Sequence, residues 1–343
     1  MNKREILDEL KNKRVPIKVI AQLTMKCNFR CAHCYETPIK KNALEDINAE
    51  KWIQILKNLR MQGCMYLTLT GGEIFTRQDF KKIYVAAYEM GYHINLNTNG
   101  SLITNEYIQL FAKKKPDKIY ITVYGATQQV YTEFCGFLGD YRIVRENIIA
   151  LKQAGLQLCI MYISNKKNIN DLQKVYSFAK NYNIEFQQYY KIRSYVDGDC
   201  LPQKYQLDAK SLLDKQPVEE YENLKYAFFN KPIDWKNDIK NCMAGITTFR
   251  IDNKGQAFLC ELIPAERYSL LNYDYTYIWN QMLEQRKKYI EIKTQCSRCK
   301  NRQKCGMCAP CINTEYNSSE DVPIRNCIFT KKLEDLLRRN ENV

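Results

Sequence analysis

The sequence has no long apolar run and almost no histidine. No uninterrupted apolar stretch in its 343 residues approaches the roughly 20 residues that a membrane span needs, and the N-terminus lacks the apolar core of a signal peptide. We therefore expect a soluble, cytoplasmic protein with no membrane partner. Its histidines are His33 and His93, so proton transfer is expected to rely on carboxylate, lysine, tyrosine or thiol groups.

Acidic residues are too few to balance the basic ones. Lysine and arginine number 52 against 38 aspartates and glutamates, which gives a formal net charge of +14. Such a surface attracts nucleic acid, anionic peptides or anionic cofactors. The basic residues are scattered, however, and the longest blocks are Lys113–Lys115 and Arg286–Lys288. Nucleic acid is therefore not expected as a specific partner.

Cysteine is abundant and clustered. In an unexported chain, 15 cysteines are thiols or metal ligands rather than disulfides. Cys27, Cys31 and Cys34 form a C-x₃-C-x₂-C run, and three thiolates can hold three irons of a cubane iron–sulfur cluster, which leaves the fourth iron open to a substrate or cofactor. A zinc site is the alternative, with His33 as the nearby fourth ligand. The spacing favours the catalytic cluster.

Short apolar runs alternate with helical patterns from Ile17 to about Ile192. The strand-like runs are Ile17–Leu23, Met65–Thr70, His93–Asn97, Lys118–Val123, Leu156–Ile163 and Ile184–Tyr190. The helical patterns include a stripe of Trp52, Ile55, Leu56 and Leu59 capped by Asn48, and the segments Phe80–Met90, Asn105–Lys113, Tyr141–Ala154 and Asp171–Tyr182. This alternation predicts βα units and a parallel sheet. Periodicity alone does not choose between an open doubly wound sheet and a barrel.

The second predicted strand runs into Gly71-Gly72-Glu73. Two glycines permit a close approach of the backbone, and Glu73 can accept a hydrogen bond from an ammonium group. In isolation such a tripeptide is more often a simple turn. One βα unit after the cysteine run, it indicates a binding loop.

Together these motifs resemble those of the radical S-adenosylmethionine (SAM) enzymes. The resemblance implies an α/β fold, a partial (β/α)₆ TIM-like barrel with its site at the C-terminal ends of the strands. It also implies that Cys27, Cys31 and Cys34 ligate a [4Fe–4S] cluster whose open iron chelates SAM. One-electron reduction then cleaves SAM to methionine and a 5′-deoxyadenosyl radical.

The same resemblance suggests which residues contact SAM. His33 stands where the family has an aromatic residue near the adenine, and Tyr35 matches a common choice after the run. The methionine amino group is expected at the Gly-Gly-Glu loop, while Asn97 or Thr98 either contacts SAM or closes an Asx turn. Tyr124 is expected to line the substrate cavity. The cofactor-binding candidates are His33, Tyr35, Gly71, Gly72, Glu73, Asn97, Thr98, Ser164 and Asn165, the last two placed to touch adenosine.

Cysteines return near the C-terminus. They are Cys242, Cys260, Cys296, Cys299, Cys305, Cys308, Cys311 and Cys327. Residues 248–259 between the first two predict a hairpin that turns at 253–255 and brings Cys242 close to Cys260. The array is too dense for ordinary packing, and a zinc ribbon is the local alternative.

The whole pattern resembles the SPASM extension of radical SAM enzymes. That resemblance implies two auxiliary [4Fe–4S] clusters, for a total of three. One would use Cys296, Cys299, Cys305 and Cys327, and the other would use Cys242 and Cys260. The expected C-x₃-C is replaced by two C-x₂-C steps through Cys308 and Cys311. If both bind, the cluster is fully coordinated; if one binds, an iron stays open to substrate.

Two further residues are candidates for catalysis. Cys135, predicted in a loop after a barrel strand, either donates a hydrogen atom to a substrate radical or is a packed thiol. Glu261 resembles in position a catalytic base of sulfatase-maturating relatives, and the alternative is a surface glutamate on the hairpin edge. Cys64 and Cys159 are expected in the core, and Cys200 has no assigned role.

The predicted parts of the chain are an N-terminal segment (1–16), the radical SAM partial barrel (17–193), a bridge with one or two helices (194–240), the SPASM auxiliary-cluster domain (241–330) and a C-terminal helix or tail (331–343). SPASM-bearing enzymes mostly modify peptides. We therefore expect an oxidoreductase that cross-links or otherwise oxidises a ribosomally made precursor peptide, with a flavodoxin- or ferredoxin-type electron donor. Sixteen residues before the first strand are too few for a leader-binding domain, so the barrel and extension or a separate partner would bind the leader.

Three alternatives remain. They are a peptide epimerase, an anaerobic sulfatase-maturating enzyme in which Glu261 is an essential base, and a non-catalytic zinc protein that binds nucleic acid.

Overall fold

The computed structural model describes residues 15–36, 46–230, 242–318 and 321–339, together with Glu9 and Asn12. The strands in these ranges are β1 (Lys18–Thr24), β2 (Tyr66–Gly71), β3 (His93–Thr98), β4 (Lys118–Thr122), β5 (Leu158–Ile163), β6 (Glu185–Tyr189), β7 (Thr248–Ile251), β8 (Gln256–Phe258) and β9 (Tyr268–Ser269). They form one sheet in the order β6-β5-β4-β3-β2-β1-β7-β8-β9. Strands β1 to β7 run parallel, while β8 and β9 are antiparallel additions.

The sheet is an open partial barrel, as the motifs predicted. Each parallel strand of the predicted βα series agrees with its expected bounds to within two residues. On β1, Val19, Ala21 and Leu23 are fully buried in the main apolar core, whereas Lys18 and Gln22 face a cavity on the other side. This alternation follows from the two-residue side-chain period of a strand.

Helices connect and flank the strands. They are α1 (Ala49–Met61), α2 (Phe80–Glu89), α3 (Asn105–Lys113), α4 (Gln128–Cys135), α5 (Arg142–Gln153), α6 (Leu172–Asn181), α7 (Ala209–Leu213), α8 (Val218–Asn230), α9 (Tyr275–Tyr289), α10 (Arg302–Cys305), α11 (Ala309–Tyr316) and α12 (Ile324–Arg339). Asn48 caps α1 by accepting a hydrogen bond from Lys51 N at 3.0 Å, and Trp52, Ile55 and Leu56 are buried as predicted. No helix among the described residues is both long and apolar enough to cross a membrane.

Helix α4 corrects one prediction. Cys135 was expected in a loop, but it is the last residue of this helix. The Thr127 side chain caps the helix start by accepting from Val130 N, and Gly136 ends it at φ 59°, a left-handed conformation that glycine adopts without strain. The helix is only eight residues long, so its periodicity is too short to be read clearly.

The C-terminal part is continuous with the barrel sheet. The predicted hairpin forms from β7 and β8, and β7 also pairs in parallel with β1 from Lys18↔Thr248 to Ala21↔Ile251. The predicted bridge holds a 3₁₀ turn, α7 and α8, and its last residues, with the boundary at 240–241, lie outside the described residues. Helix α12 packs Leu333 and Leu337 against these helices, and the boundary predicted at residue 330 falls within it.

Candidate active site

The inner face of the barrel surrounds a cavity of about 470 Å³. Alternate residues of the parallel strands line it, namely Lys18, Ile20, Gln22, Thr68, Thr70, Asn95, Asn97, Tyr120, Thr122, Met161, Ile163, Tyr189 and Arg250. Most of these side chains are polar, whereas a packed barrel is filled by branched aliphatic residues. The interior of this barrel is therefore built as a binding site.

The predicted cluster cysteines lie at one end of this cavity. Cys27, Cys31 and Cys34 all line it, in the loop that follows β1. The loop is fixed to the end of α4, because Arg30 N donates to the Cys135 carbonyl at 2.6 Å and Ala32 N donates to the Phe134 carbonyl at 2.8 Å. Backbone anchoring of this kind holds three thiols on one wall, as the three-iron ligation of a SAM-binding cluster requires.

The Gly-Gly-Glu loop packs directly against the cysteine loop. Gly72 N donates to the Thr24 carbonyl at 2.7 Å and Glu73 N donates to the Lys26 carbonyl at 2.8 Å. A Cβ on Gly71 or on Gly72 would come within 2.2 Å of a carbonyl oxygen, that of Thr24 or that of Lys26 respectively. Both glycines line the cavity. Their small size therefore lets the Gly-Gly-Glu loop pack against the cysteine loop at the cavity wall.

The Glu73 carboxylate lies behind that loop. It is 1% exposed and is not among the residues that line the cavity. It accepts hydrogen bonds from Thr98 Oγ1 at 2.8 Å, from Asn99 N at 2.7 Å and from Phe75 N at 3.2 Å. Its side chain therefore fixes the turn after β3, and Asn97 and Thr98 reach the cavity wall beside it.

Aromatic side chains flank the cysteines. The His33 ring stacks on Phe134, with centroids 4.9 Å apart and planes 4° from parallel, and its centroid lies 5.7 Å from that of Tyr124. Burial and the neighbouring Cys31 thiol raise the pKa of Tyr124 well above its usual value, and burial together with Glu36 does the same for the pKa of Tyr35. All three predicted side chains, at positions 33, 35 and 124, line the cavity.

Ser164 and Asn165 are placed differently from their prediction. Both are fully buried, and neither lines the cavity. Ser164 Oγ accepts from Gln188 Nε2 at 2.7 Å, and Asn165 Nδ2 donates to the Ile163 carbonyl at 2.9 Å. Their polar groups hold the loop after β5, and Ile163 is the residue of this segment that reaches the cavity.

Cys135 is also placed away from the cavity entrance. Its side chain is 0% exposed and is absent from the cavity wall. Burial raises the pKa of this thiol, and a hydrogen bond with Cys31 raises it further. The structure thus makes Cys135 a packed thiol behind the cysteine loop, which is the second of the two predicted alternatives.

A polar network that sequence reasoning missed lies beside β1 and β7. Arg250 Nη1 lies 2.6 Å from Glu261 Oε1, and the Glu261 side chain is 4% exposed, so the surface-glutamate alternative is wrong. Gln22 Nε2 donates to Glu261 Oε1 at 3.1 Å and to Glu36 Oε1 at 2.7 Å. Burial lowers the pKa of Arg250, but Glu261 together with Tyr35, Cys260 and Glu36 outweighs burial and raises that pKa. The two-residue alternation along β1 and β7 could have predicted that Gln22 and Arg250 face the cavity.

The first of the two predicted auxiliary sites gathers cysteines around Arg193. Cys308 Sγ lies 3.3 Å from Cys311 Sγ. This hydrogen bond lowers the pKa of Cys311 to about 6, with Arg193 as a further cause, whereas burial and Glu261 raise the pKa of Cys260 to about 11. The three thiols together raise the Arg193 pKa despite its burial. The site therefore pairs a cation with three potential thiolates.

The second auxiliary site is a small cavity of about 160 Å³. Cys296, Cys299, Cys305 and Cys327 line it, the four that the SPASM resemblance groups together. Burial raises the pKa of Cys296, and the other three thiols add to the shift. Four thiols around an enclosed space fit a cubane cluster. Among the described residues, no three His, Cys, Asp or Glu side chains are placed to hold a single metal ion.

Comparisons with known proteins agree with this geometry. Residues 22–179 match the model of the Radical SAM superfamily, so the chain contains a radical SAM domain.

Solved structures of the same fold span nearly the whole chain. SuiB of Streptococcus suis bound to S-adenosylmethionine has a TM-score of 0.70 at 17% identity, over 92% of this chain and 79% of that chain. Native anSMEcpe with bound AdoMet has a TM-score of 0.68 at 15% identity, over 94% of this chain and 100% of that chain. At these identities the likeness concerns the fold.

Proposed function

We propose that the protein is a radical SAM oxidoreductase that modifies a ribosomally made peptide, forming a thioether or carbon–carbon cross-link or another oxidation. One observation carries the proposal. A single polar cavity meets the three-cysteine loop at one end, and its wall residue Arg250 contacts Glu261, the neighbour of Cys260 in a second cysteine site. A substrate in the cavity would therefore lie between two sites suited to iron–sulfur clusters.

The residues divide into three tasks. Cys27, Cys31 and Cys34 would hold the SAM-binding cluster, and the two cysteine sites of the C-terminal part would hold auxiliary clusters. When bound, a reduced cluster with SAM supplies a hydrogen-abstracting radical, and auxiliary clusters can accept an electron. The chain's own contribution is to position the substrate and to exclude water from it, which the enclosing barrel wall supports.

A peptide is the best-supported substrate class. Two proteins of the same fold were crystallised with peptides: SuiB with the precursor peptide SuiA, at a TM-score of 0.70, and anSMEcpe with the Kp18Cys peptide, at 0.67. The formal charge of +14 would also attract an anionic peptide.

The alternatives have less support. A sulfatase-maturating role needs Glu261 as a base, yet the Glu261 carboxylate is held by Arg250 and Gln22. An epimerase needs a thiol at the substrate, and Cys135 lies outside the cavity wall. The hypothesis of a zinc protein that binds nucleic acid gives no role to the polar side chains inside the barrel.

Anaerobic reconstitution with iron, sulfide and SAM tests the proposal. We expect about twelve irons per chain for three four-iron clusters and formation of 5′-deoxyadenosine on reduction with dithionite. Cys31→Ala should abolish 5′-deoxyadenosine formation while keeping about eight irons. Cys64→Ala, which changes a buried cysteine outside these sites, should keep about twelve irons and should still form 5′-deoxyadenosine. Zinc in place of iron, or SAM cleavage by Cys31→Ala, would contradict the proposal.

Product mass then identifies the reaction. Candidate precursor peptides are incubated with the reduced enzyme and SAM. Loss of two hydrogens indicates a cross-link or oxidation. Deuterium uptake from heavy water, without another mass change, indicates epimerisation instead.

A further inference from the structure

The barrel cavity continues well below the cysteine loop. Lys18 and Gln22 lie on the same strand and both line it. At about 3.3 Å per residue, these two side chains are about 13 Å apart along β1. The cavity therefore has a floor, at the N-terminal end of the strands, that is distinct from the end where the cysteines lie.

Hydrogen-bond donors line the cavity from this floor upward. Lys18, Asn95 and Tyr120 point into the cavity from β1, β3 and β4. Within the described part of the chain, none of their side chains has a hydrogen bond or an ion pair. A barrel interior normally buries aliphatic residues, so polar groups without hydrogen-bond partners in this cavity indicate a ligand that they would bind. The Tyr120 ring does have Lys118 Nζ 5.9 Å from its centroid, which leaves its hydroxyl available.

Lys18 differs from every other charged residue around the cavity. Arg250 is paired with Glu261 at 2.6 Å, and Glu36 accepts from Gln22 at 2.7 Å. Lys118, at the same end of the barrel, is paired with Glu185 at 2.5 Å. Lys18 alone among the described charged side chains of this wall has no such contact, so the floor carries an uncompensated positive charge.

We propose that Lys18, assisted by Asn95 and Tyr120, is a carboxylate-binding subsite of the substrate cavity. This rests on the proposed function, and it narrows the substrate to a peptide that presents a carboxylate to the barrel floor. Charge-assisted hydrogen bonds from an ammonium and neutral donors recognise that group strongly. The carboxylate comes either from an acidic side chain or from the peptide C-terminus.

Matched short peptides test the subsite on the reconstituted enzyme with SAM. One pair is N-acetyl-Gly-Glu-Gly-amide and its Gln counterpart, and the other is N-acetyl-Gly-Gly-Gly as free acid and as amide. Dissociation constants are measured by ligand-observed NMR. We expect the acid of at least one pair to bind about tenfold more tightly than its neutral counterpart, as one charge-assisted hydrogen bond supplies. The pair that shows the difference identifies the source of the carboxylate.

Substitutions assign the effect to Lys18. Lys18→Met should remove the preference for the acid, and Lys18→Arg should restore most of it. Lys57→Met, on the exposed side of α1, is the matched control and should keep the preference, with thermal unfolding confirming that each variant is folded. Equal binding of acid and neutral peptides, or a preference that survives in Lys18→Met, overturns the subsite. Absence of SAM cleavage in the unsubstituted enzyme would instead count against the proposed function.

Discussion

The Glu73 side chain offers the sharpest distinction between structure and family expectation. The family motif implies a contact between Glu73 and SAM, whereas in the structure the carboxylate accepts hydrogen bonds from Thr98 Oγ1, Asn99 N and Phe75 N. In Glu73→Gln, the new amide NH₂ would face one of these donors. A lost hydrogen bond to a charged group costs roughly 1.5–3 kcal/mol, and a buried N–H left unpaired adds to that cost. We therefore expect about 2–4 kcal/mol of destabilisation.

Chemical denaturation without SAM measures this effect directly. The midpoint of Glu73→Gln should fall, since the carboxylate stabilises the turn after β3 even when no cofactor is bound. Glu106→Gln is the matched control, because Glu106 forms an exposed pair with Lys81 and exposed pairs contribute roughly 0–1 kcal/mol. An unchanged midpoint together with weakened SAM binding would show that Glu73 acts on the cofactor, and the structural argument would then be wrong.

Two further predictions concern the cysteine sites and the glycine loop. Cys305→Ala should lower the iron content by about four per chain, while the core variant Cys159→Ala should retain it; equal iron in both would remove the second auxiliary site. Gly72→Ala places a Cβ 2.2 Å from the Lys26 carbonyl oxygen, and overpacking of this kind costs about 1–3 kcal/mol. The unfolding temperature should therefore fall, and the SAM-binding cluster should assemble poorly. Gly72 has no positive φ, whereas Gly155→Ala adds a Cβ at a left-handed residue (φ +75°) that meets nothing closer than 3.7 Å. An equal effect of Gly155→Ala on cluster assembly would refute the role of the Lys26 contact.

The parallel sheet could be predicted because its signals are local. Apolar alternation marks each strand, and Gly91, Gly155 and Asn183, residue types that tolerate positive φ, end their helices. The pairing of β7 with β1 could not be predicted, because nothing local in Thr248–Ile251 specifies a partner more than 200 residues earlier. Sequence patterns describe which face of a strand is buried, not which strand lies beside it.

The same distinction applies to the site. Cys27, Gly71 and Gly72 could be predicted as parts of the site, because their spacing and backbone requirements depend on neighbouring residues in the sequence. The partners of Glu73 and Glu261 could not, since each carboxylate is held by residues from distant strands or turns. A sequence shows that a carboxylate is present, but the hydrogen bonds that occupy it depend on the folded contacts.

The β1–β7 pairing brings Cys260 close to the barrel cavity. Ile20 lies opposite Arg250 in the register, and Arg250 reaches Glu261, the residue after Cys260, at 2.6 Å. Gln22, on the inner face of β1, contacts the same carboxylate. Cys260 therefore lies close to the cavity wall because β7 pairs with β1 in the same sheet. Any substrate bound between the cysteine loop and Lys18 would consequently pass Arg250, beside which the proposed auxiliary cluster at Cys260 would lie.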